Sequence, residues 1–225
     1  MADIFRLSKF SLSFFRTQIA EGSMLPSGKM PYEVFIPAYR DEILSDTVMV
    51  YGNVDEVELV LNGKTIRRQT ADKGPDSDYI PVPNGGNGKN LHFPPFTFYG
   101  VPKERGVLKA VGYHQGKKVA EYTVKTPGVP ERLDITYFES GKPATKNDLL
   151  IVYVRMLDKQ GVLCPVNGIP VELSVQGGEI VGPTSYPLEA GVASFLVRTG
   201  EISKININAT GKGFSTRKSL KVGKE

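Results

Sequence analysis

From Tyr32 onward, apolar and polar residues alternate with a period of two. The runs VFIPAY, TVMVYG and VELVLNG are rich in β-branched and aromatic residues, and each is stopped by Gly, Pro or Asn. That pattern predicts short strands with one face buried. Asn62-Gly63, set between two alternating runs, predicts a hairpin, because a type I′ turn needs positive φ at both central positions. Such a turn puts Leu61 opposite Lys64, Leu59 opposite Ile66 and Glu58 opposite Arg67. Val57, Leu59 and Leu61 then share the core side, and Glu56 and Glu58 take the other. GVLKAVGYHQGKKVAEYTVKT predicts a second hairpin, with Gln115-Gly116 near its turn.

TPGVPERL, residues 126–133, interrupts the pattern with two prolines and a glycine. It reads as a boundary between domains. Beyond it the alternation restarts. Leu150, Val152, Val154 and Met156 fall on one side of a strand, a turn follows at Asp158–Gly161, and IPVELSVQGGEI, AGVASFLVRTG and KININATGKGF come after. Short alternating strands with regular turns predict antiparallel sandwiches of immunoglobulin type, without the Cys…Trp…Cys signature of antibody domains. The fold class expected is therefore all-β: two immunoglobulin-like sandwiches in tandem, over 30–126 and 127–225. Residues 1–29 differ. DIFRLSKFSLSFFRTQIA carries four phenylalanines at partly helical spacing, more than an isolated surface helix can hide, and EGSMLPSGKMP reads as a linker.

Composition narrows the picture. The chain has 225 residues, 28 Lys plus Arg against 24 Asp plus Glu, and a formal net charge of +4. The basic residues form no run along the sequence, which argues against a nucleic-acid reader. One cysteine, Cys164, excludes an internal disulfide framework and a Cys-based zinc site. No stretch approaches 18 apolar residues, so no membrane span is expected. The N-terminal residues lack the unbroken apolar core of a signal peptide.

Candidate chemistry is sparse. Asp55, Glu56 and Glu58 crowd one strand, but they alternate with core residues and have a basic strand opposite, which makes them a solvated face. Glycosidase chemistry needs a second carboxylate about 5–10 Å away across a pocket, and nothing nearby in sequence supplies it. His92 and His114 lack ligand-spaced neighbours, and no metal or cofactor motif appears, so neither is expected. GGNGKN has no helix after it and reads as a loop rather than a phosphate cradle. Cys164 stands before a proline, far in sequence from either histidine, and reads as a small buried hydrophobe. Tyr79, His92, Phe93 and Tyr99 flank a long polar loop and form the one candidate carbohydrate platform. The lack of Trp weakens it, and packing is the alternative role for these rings.

The blocks DIFRLSKFSLSFFRTQ, VFIPAY, VMVYGNVDEVELVLNGK, HFPPFTF and GVLKAVGYHQGKKVAEYTVKTPGVPERL, in that order and spacing, closely resemble the tail of large bacterial glycoside hydrolase family 2 enzymes of the β-galactosidase type. DLLIVYVRMLDKQGVLCPVNGIPVELSVQGG looks like the bacterial immunoglobulin-like, invasin-type domain that often follows it. The resemblance implies that residues 1–29 are the last segment of a catalytic (β/α)₈ barrel and its exit. It implies that the barrel carries the two catalytic glutamates, and that Asp55, Glu56 and Glu58 have no catalytic role. Its implied partners are that barrel, a second copy through residues 3–20, or a galactose-containing polysaccharide, with no nucleic acid and no membrane. A periplasmic or secreted location is also suggested. The expectation is a non-catalytic accessory region; a carbohydrate-binding module around 79–99 and a cell-surface spacer are the alternatives.

Overall fold

The computed structural model describes residues 7–38, 45–72, 91–138, 143–201 and 203–223. The chain divides into two compact units, the first over Leu7–Thr126 and the second over Pro127–Glu225.

The first unit opens with a seven-residue helix, α1 (Phe10–Arg16). A two-stranded ribbon follows, β1 (Met24–Leu25) with β2 (Gly28–Lys29). Then come β3 (Val34–Phe35), β4 (Val48–Gly52), β5 (Glu56–Leu61), β6 (Lys64–Thr70), β7 (Phe96–Phe98), β8 (Val107–His114) and β9 (Lys117–Lys125). They form a three-stranded sheet in the order β3-β4-β7 and a four-stranded sheet in the order β6-β5-β8-β9. Between them lie Val50, Val57, Leu59, Phe96, Phe98 and Leu108, each with no exposed surface. Burying side chains of this size stabilises by about 1.5–3 kcal/mol apiece, before the entropy of ordering them.

The second unit is a four-on-four sandwich. One sheet runs β10 (Arg132–Tyr137), β11 (Leu149–Leu157), β15 (Val192–Thr199) and β13 (Gly178–Ile180). The other runs β14 (Ser185–Pro187), β12 (Pro170–Gln176), β16 (Lys204–Gly211) and β17 (Phe214–Lys221). All of the described pairings are antiparallel. Val152, Val154, Met156, Phe195, Ile205 and Ile207 fill the space between the sheets. The all-β class and the sandwich architecture are those the alternation predicts.

The β5–β6 hairpin departs from expectation in one respect. Asn62 and Gly63 have φ of 51° and 81°, as a type I′ turn demands, and Leu61 pairs with Lys64. A bulge between Leu59 and Val60 then shifts the ladder, so Leu59 faces Arg67 and Glu58 faces Arg68, not Ile66 and Arg67. An extra residue on one strand re-aims every side chain beyond it, and sequence alternation cannot show where it falls. The core side of β5 is unaffected.

The N-terminal segment was expected to lack a partner within the chain. Its described part instead lies on the first unit. Phe10 packs edge-to-face on Phe35 at 5.5 Å and Phe14 on Tyr51 at 4.9 Å. Arg16 is ion-paired with Glu33. Asn53, 3% exposed, clamps the linker: its Oδ1 accepts the Glu33 amide, and its Nδ2 donates to the carbonyls of Ile19 and Pro31.

Candidate functional site

The outward side of the β5–β8 ladder gathers the acidic residues that the sequence singles out. Asp55 accepts the Gln115 amide at 2.9 Å and lies 3.1 Å from Nδ1 of His114, whose ring stacks on Tyr32 at 4.9 Å. The backbone donor first, and His114 after it, hold the Asp55 carboxyl below its ordinary range. Glu58 accepts the hydroxyls of Thr65 and Tyr113, both at 2.6 Å. The Thr65 bond, then the Tyr113 bond, lowers its pKa, and the same contact raises that of Tyr113. Glu56 pairs with Arg68, whose guanidinium lies 3.7 Å from the centre of the Tyr113 ring. The result is a half-exposed network of charges, each with a partner.

A general acid for glycoside cleavage needs a carboxyl whose pKa is pushed up beside one that stays ionised. Asp55 and Glu58 are both shifted the opposite way. His114, which sequence spacing leaves isolated, gains Asp55 across the sheet. Even so, no group of three or more possible metal ligands occurs among the described residues.

The aromatic candidates are only partly brought together. Tyr79 lies outside the described residues. His92 and Phe93 meet at 4.5 Å with their rings at 80°, so only one of them can lie flat against a sugar. Phe93 is held by its backbone: the Gln18 side-chain amide donates to its carbonyl at 3.0 Å and accepts its N–H at 3.2 Å. Tyr99 is 47% exposed beyond β7. Sequence reading missed Gln18 altogether, because a glutamine bonding a backbone 75 positions away leaves no local signal.

In the second unit, Cys164 is buried and its thiol is pushed up by burial and by Asp158, as suits an inert core residue. An open groove of about 450 Å³ lies at the turn end of β16–β17, lined by Pro170, Glu172, Thr210, Lys212, Phe214 and Ser215. No sequence motif marks it.

Comparisons with known proteins place this architecture. Residues 45–120, from the approach to β4 into the start of β9, match a family described as a domain of unknown function, DUF4982. The fold matches the solved structure of a β-glucuronidase from glycoside hydrolase family 2, with a TM-score of 0.76 and 20% identity. That match covers 97% of this chain and 22% of the other. A β-galactosidase of Thermoanaerobacter pseudethanolicus is 30% identical over 211 residues, 88% of this chain and 26% of the relative. A β-galactosidase of Rhizobium radiobacter is 30% identical over 129 residues, and here the match spans 92% of the relative. This chain belongs to the C-terminal region of glycoside hydrolase family 2. The family 2 tail spans about a quarter of the length of the Thermoanaerobacter relative. The acidic network at β5 thus lies in a region shared with family 2 glycosidases, and its two shifted carboxyls, Asp55 and Glu58, are both held below their ordinary range.

Proposed function

We propose that this chain is a non-catalytic accessory region of a β-galactosidase-like enzyme, serving a catalytic barrel by packing on it, holding subunits or positioning it on a polysaccharide. In this reading residues 1–29 are the end of the barrel and its exit, 30–126 the family's own sandwich, and 127–225 an invasin-like sandwich. The observation that carries it is the state of Asp55 and Glu58. Both are tied to donors within their own sheet and held ionised, so neither is free to protonate a leaving group.

The test is turnover of an aryl β-galactoside by the purified chain. No hydrolysis above the buffer rate is expected. Turnover that copurifies with the chain and falls in Glu58→Gln would overturn the accessory reading. A second reading, a sugar platform of Tyr79, His92, Phe93 and Tyr99, is favoured by the exposure of Tyr99. It predicts that Tyr99→Ala abolishes binding of a neutral galacto-oligosaccharide.

A further inference from the structure

The charge pattern of the β16–β17 hairpin is unlike that of the rest of the chain. Residues 203–223 contain Lys204, Lys212, Arg217, Lys218 and Lys221 and no Asp or Glu. Elsewhere in the second unit three cations are ion-paired, Lys146 with Glu201, Arg155 with Asp134 and Arg198 with Glu179, while the isolated Arg132 and Lys159 have no ion pair among the described residues. None of the five hairpin cations has an ion pair among the described residues.

Register puts most of them on one surface. Ile205, Ile207 and Ala209 point into the core, so Lys204, Asn206, Asn208 and Thr210 point out. Their partners on β17, in the same order, are Lys221, Ser219, Arg217 and Ser215. Beyond β16, β12 continues the rows: Ser174 faces Asn208 and Gln176 faces Asn206. Lys212 projects at the turn, beside the 450 Å³ groove. Glu172 is the one carboxylate among the described outward residues of β12, β16 and β17; it pairs with Thr210 at the turn end, where it shares the groove with Lys212, at the opposite end of β16 from Lys204.

We infer that this face binds an anionic polysaccharide, one carrying carboxylate or sulfate along a chain of hydroxyls. The unneutralised cations attract the polyanion. The interleaved Asn, Ser, Thr and Gln side chains are donors and acceptors for sugar hydroxyls. No ring among the described outward residues of β16 and β17 is placed to stack a base, as a binder of single-stranded nucleic acid requires. Guarding the edge strand against wrong pairing accounts for Lys218 and Lys221, but not for Lys204 on the inner strand or Lys212 in the turn. The inference takes its class of ligand from the accessory reading.

The experiment is an NMR titration of the full chain with an oligogalacturonate, a neutral galacto-oligosaccharide of equal length and a single-stranded oligonucleotide. Saturable shifts are expected with the uronate, confined to β12, β16 and β17, and weakening as salt rises. Arg217→Glu with Lys221→Glu should weaken binding roughly tenfold, with an unchanged melt as the control for folding. Lys212→Asn, which keeps a residue suited to positive φ in the turn, should weaken it roughly twofold. The inference is overturned if no ligand saturates, if the neutral oligomer or the oligonucleotide binds as tightly as the uronate, or if charge reversal changes nothing. Aryl β-galactoside turnover by the same sample would overturn the accessory reading alone.

Discussion

Asp158 has 1% of its surface exposed, yet its carboxyl stays ionised. Burial alone would raise its pKa. The Gly128, Val162, Gln160 and Gly161 amides together outweigh that and leave it lowered. It receives Gly128 at 2.7 Å, Val162 at 2.8 Å and Gln160 at 2.9 Å on its two oxygens, so it ties the start of the second unit to the turn after β11. Asp158→Ala removes the shared charged acceptor of three backbone amides and should cost about 2–4 kcal/mol, measured by denaturant unfolding. A group whose pKa is lowered by folding stabilises fully above its unfolded value and loses that contribution as pH falls through the folded value. Glu58 follows the same rule in the first unit. Melting temperature should therefore drop on acidification through and below the ordinary carboxylate range, and Glu58→Gln should flatten part of that drop. An equal drop in the variant would show that the Thr65 and Tyr113 bonds contribute little.

At the scale of elements, what the sequence reveals depends on whether the signal is local. Asn62-Gly63 is a strong turn signal and the hairpin forms where expected. Its β-bulge has no such signal, so the cross-strand partners of Glu58 and Leu59 could not be read. Three further two-residue turns use the same left-handed geometry with unusual first residues: Gln115 at φ 48°, Ala190 at 46° and Lys212 at 51°, each followed by a glycine with positive φ. A β-carbon makes that conformation costly, and Asn tolerates it best. Lys212→Asn should accordingly stabilise the second unit by about 0.5 kcal/mol, read as a rise in the denaturation midpoint. The attachment of α1 and its linker was illegible for a different reason. Asn53 and Gln18 act through bonds to distant backbone groups, which no hydrophobic period records. Asn53→Ala removes three hydrogen bonds at a buried site. Faster hydrogen exchange over residues 19–33 is expected; unchanged exchange would mean that Arg16 and the phenylalanines hold the segment without it.

Over the whole molecule, alternation was enough to show two antiparallel sandwiches, because each strand of a sandwich buries one face and wets the other. Leu150, Val152, Val154 and Met156 all reach the core of the second unit, as Val57, Leu59 and Leu61 do in the first. Phe96→Ala should destabilise the first unit by about 3–5 kcal/mol, since its ring is fully buried between the sheets, and calorimetry would register the loss. The candidate sites were less legible than the fold. Linear order separates Asp55 from His114 and Tyr113 from Glu58, and only strand pairing joins them. The basic face was hidden by alternation itself: Lys204, Arg217 and Lys221 are spaced among apolar and amide residues, so they form no run until β16 and β17 pair.

The Asn62 turn also bears on how the protein ages. Asn-Gly is prone to deamidation, because the glycine amide nitrogen can attack the asparagine side-chain carbonyl carbon, expelling the side-chain nitrogen as ammonia and closing a succinimide ring. Here that side chain is otherwise engaged. Its Nδ2 donates to the Arg105 carbonyl at 3.1 Å and its Oδ1 accepts the Val107 amide at 2.9 Å. Gly106 leaves the room for it, since a β-carbon there would fall 1.9 Å from Asn62 Oδ1. The same contacts that join two strands thus shield a reactive bond, and Gly106→Ala would turn a stable turn into a chemical clock that mass spectrometry could read.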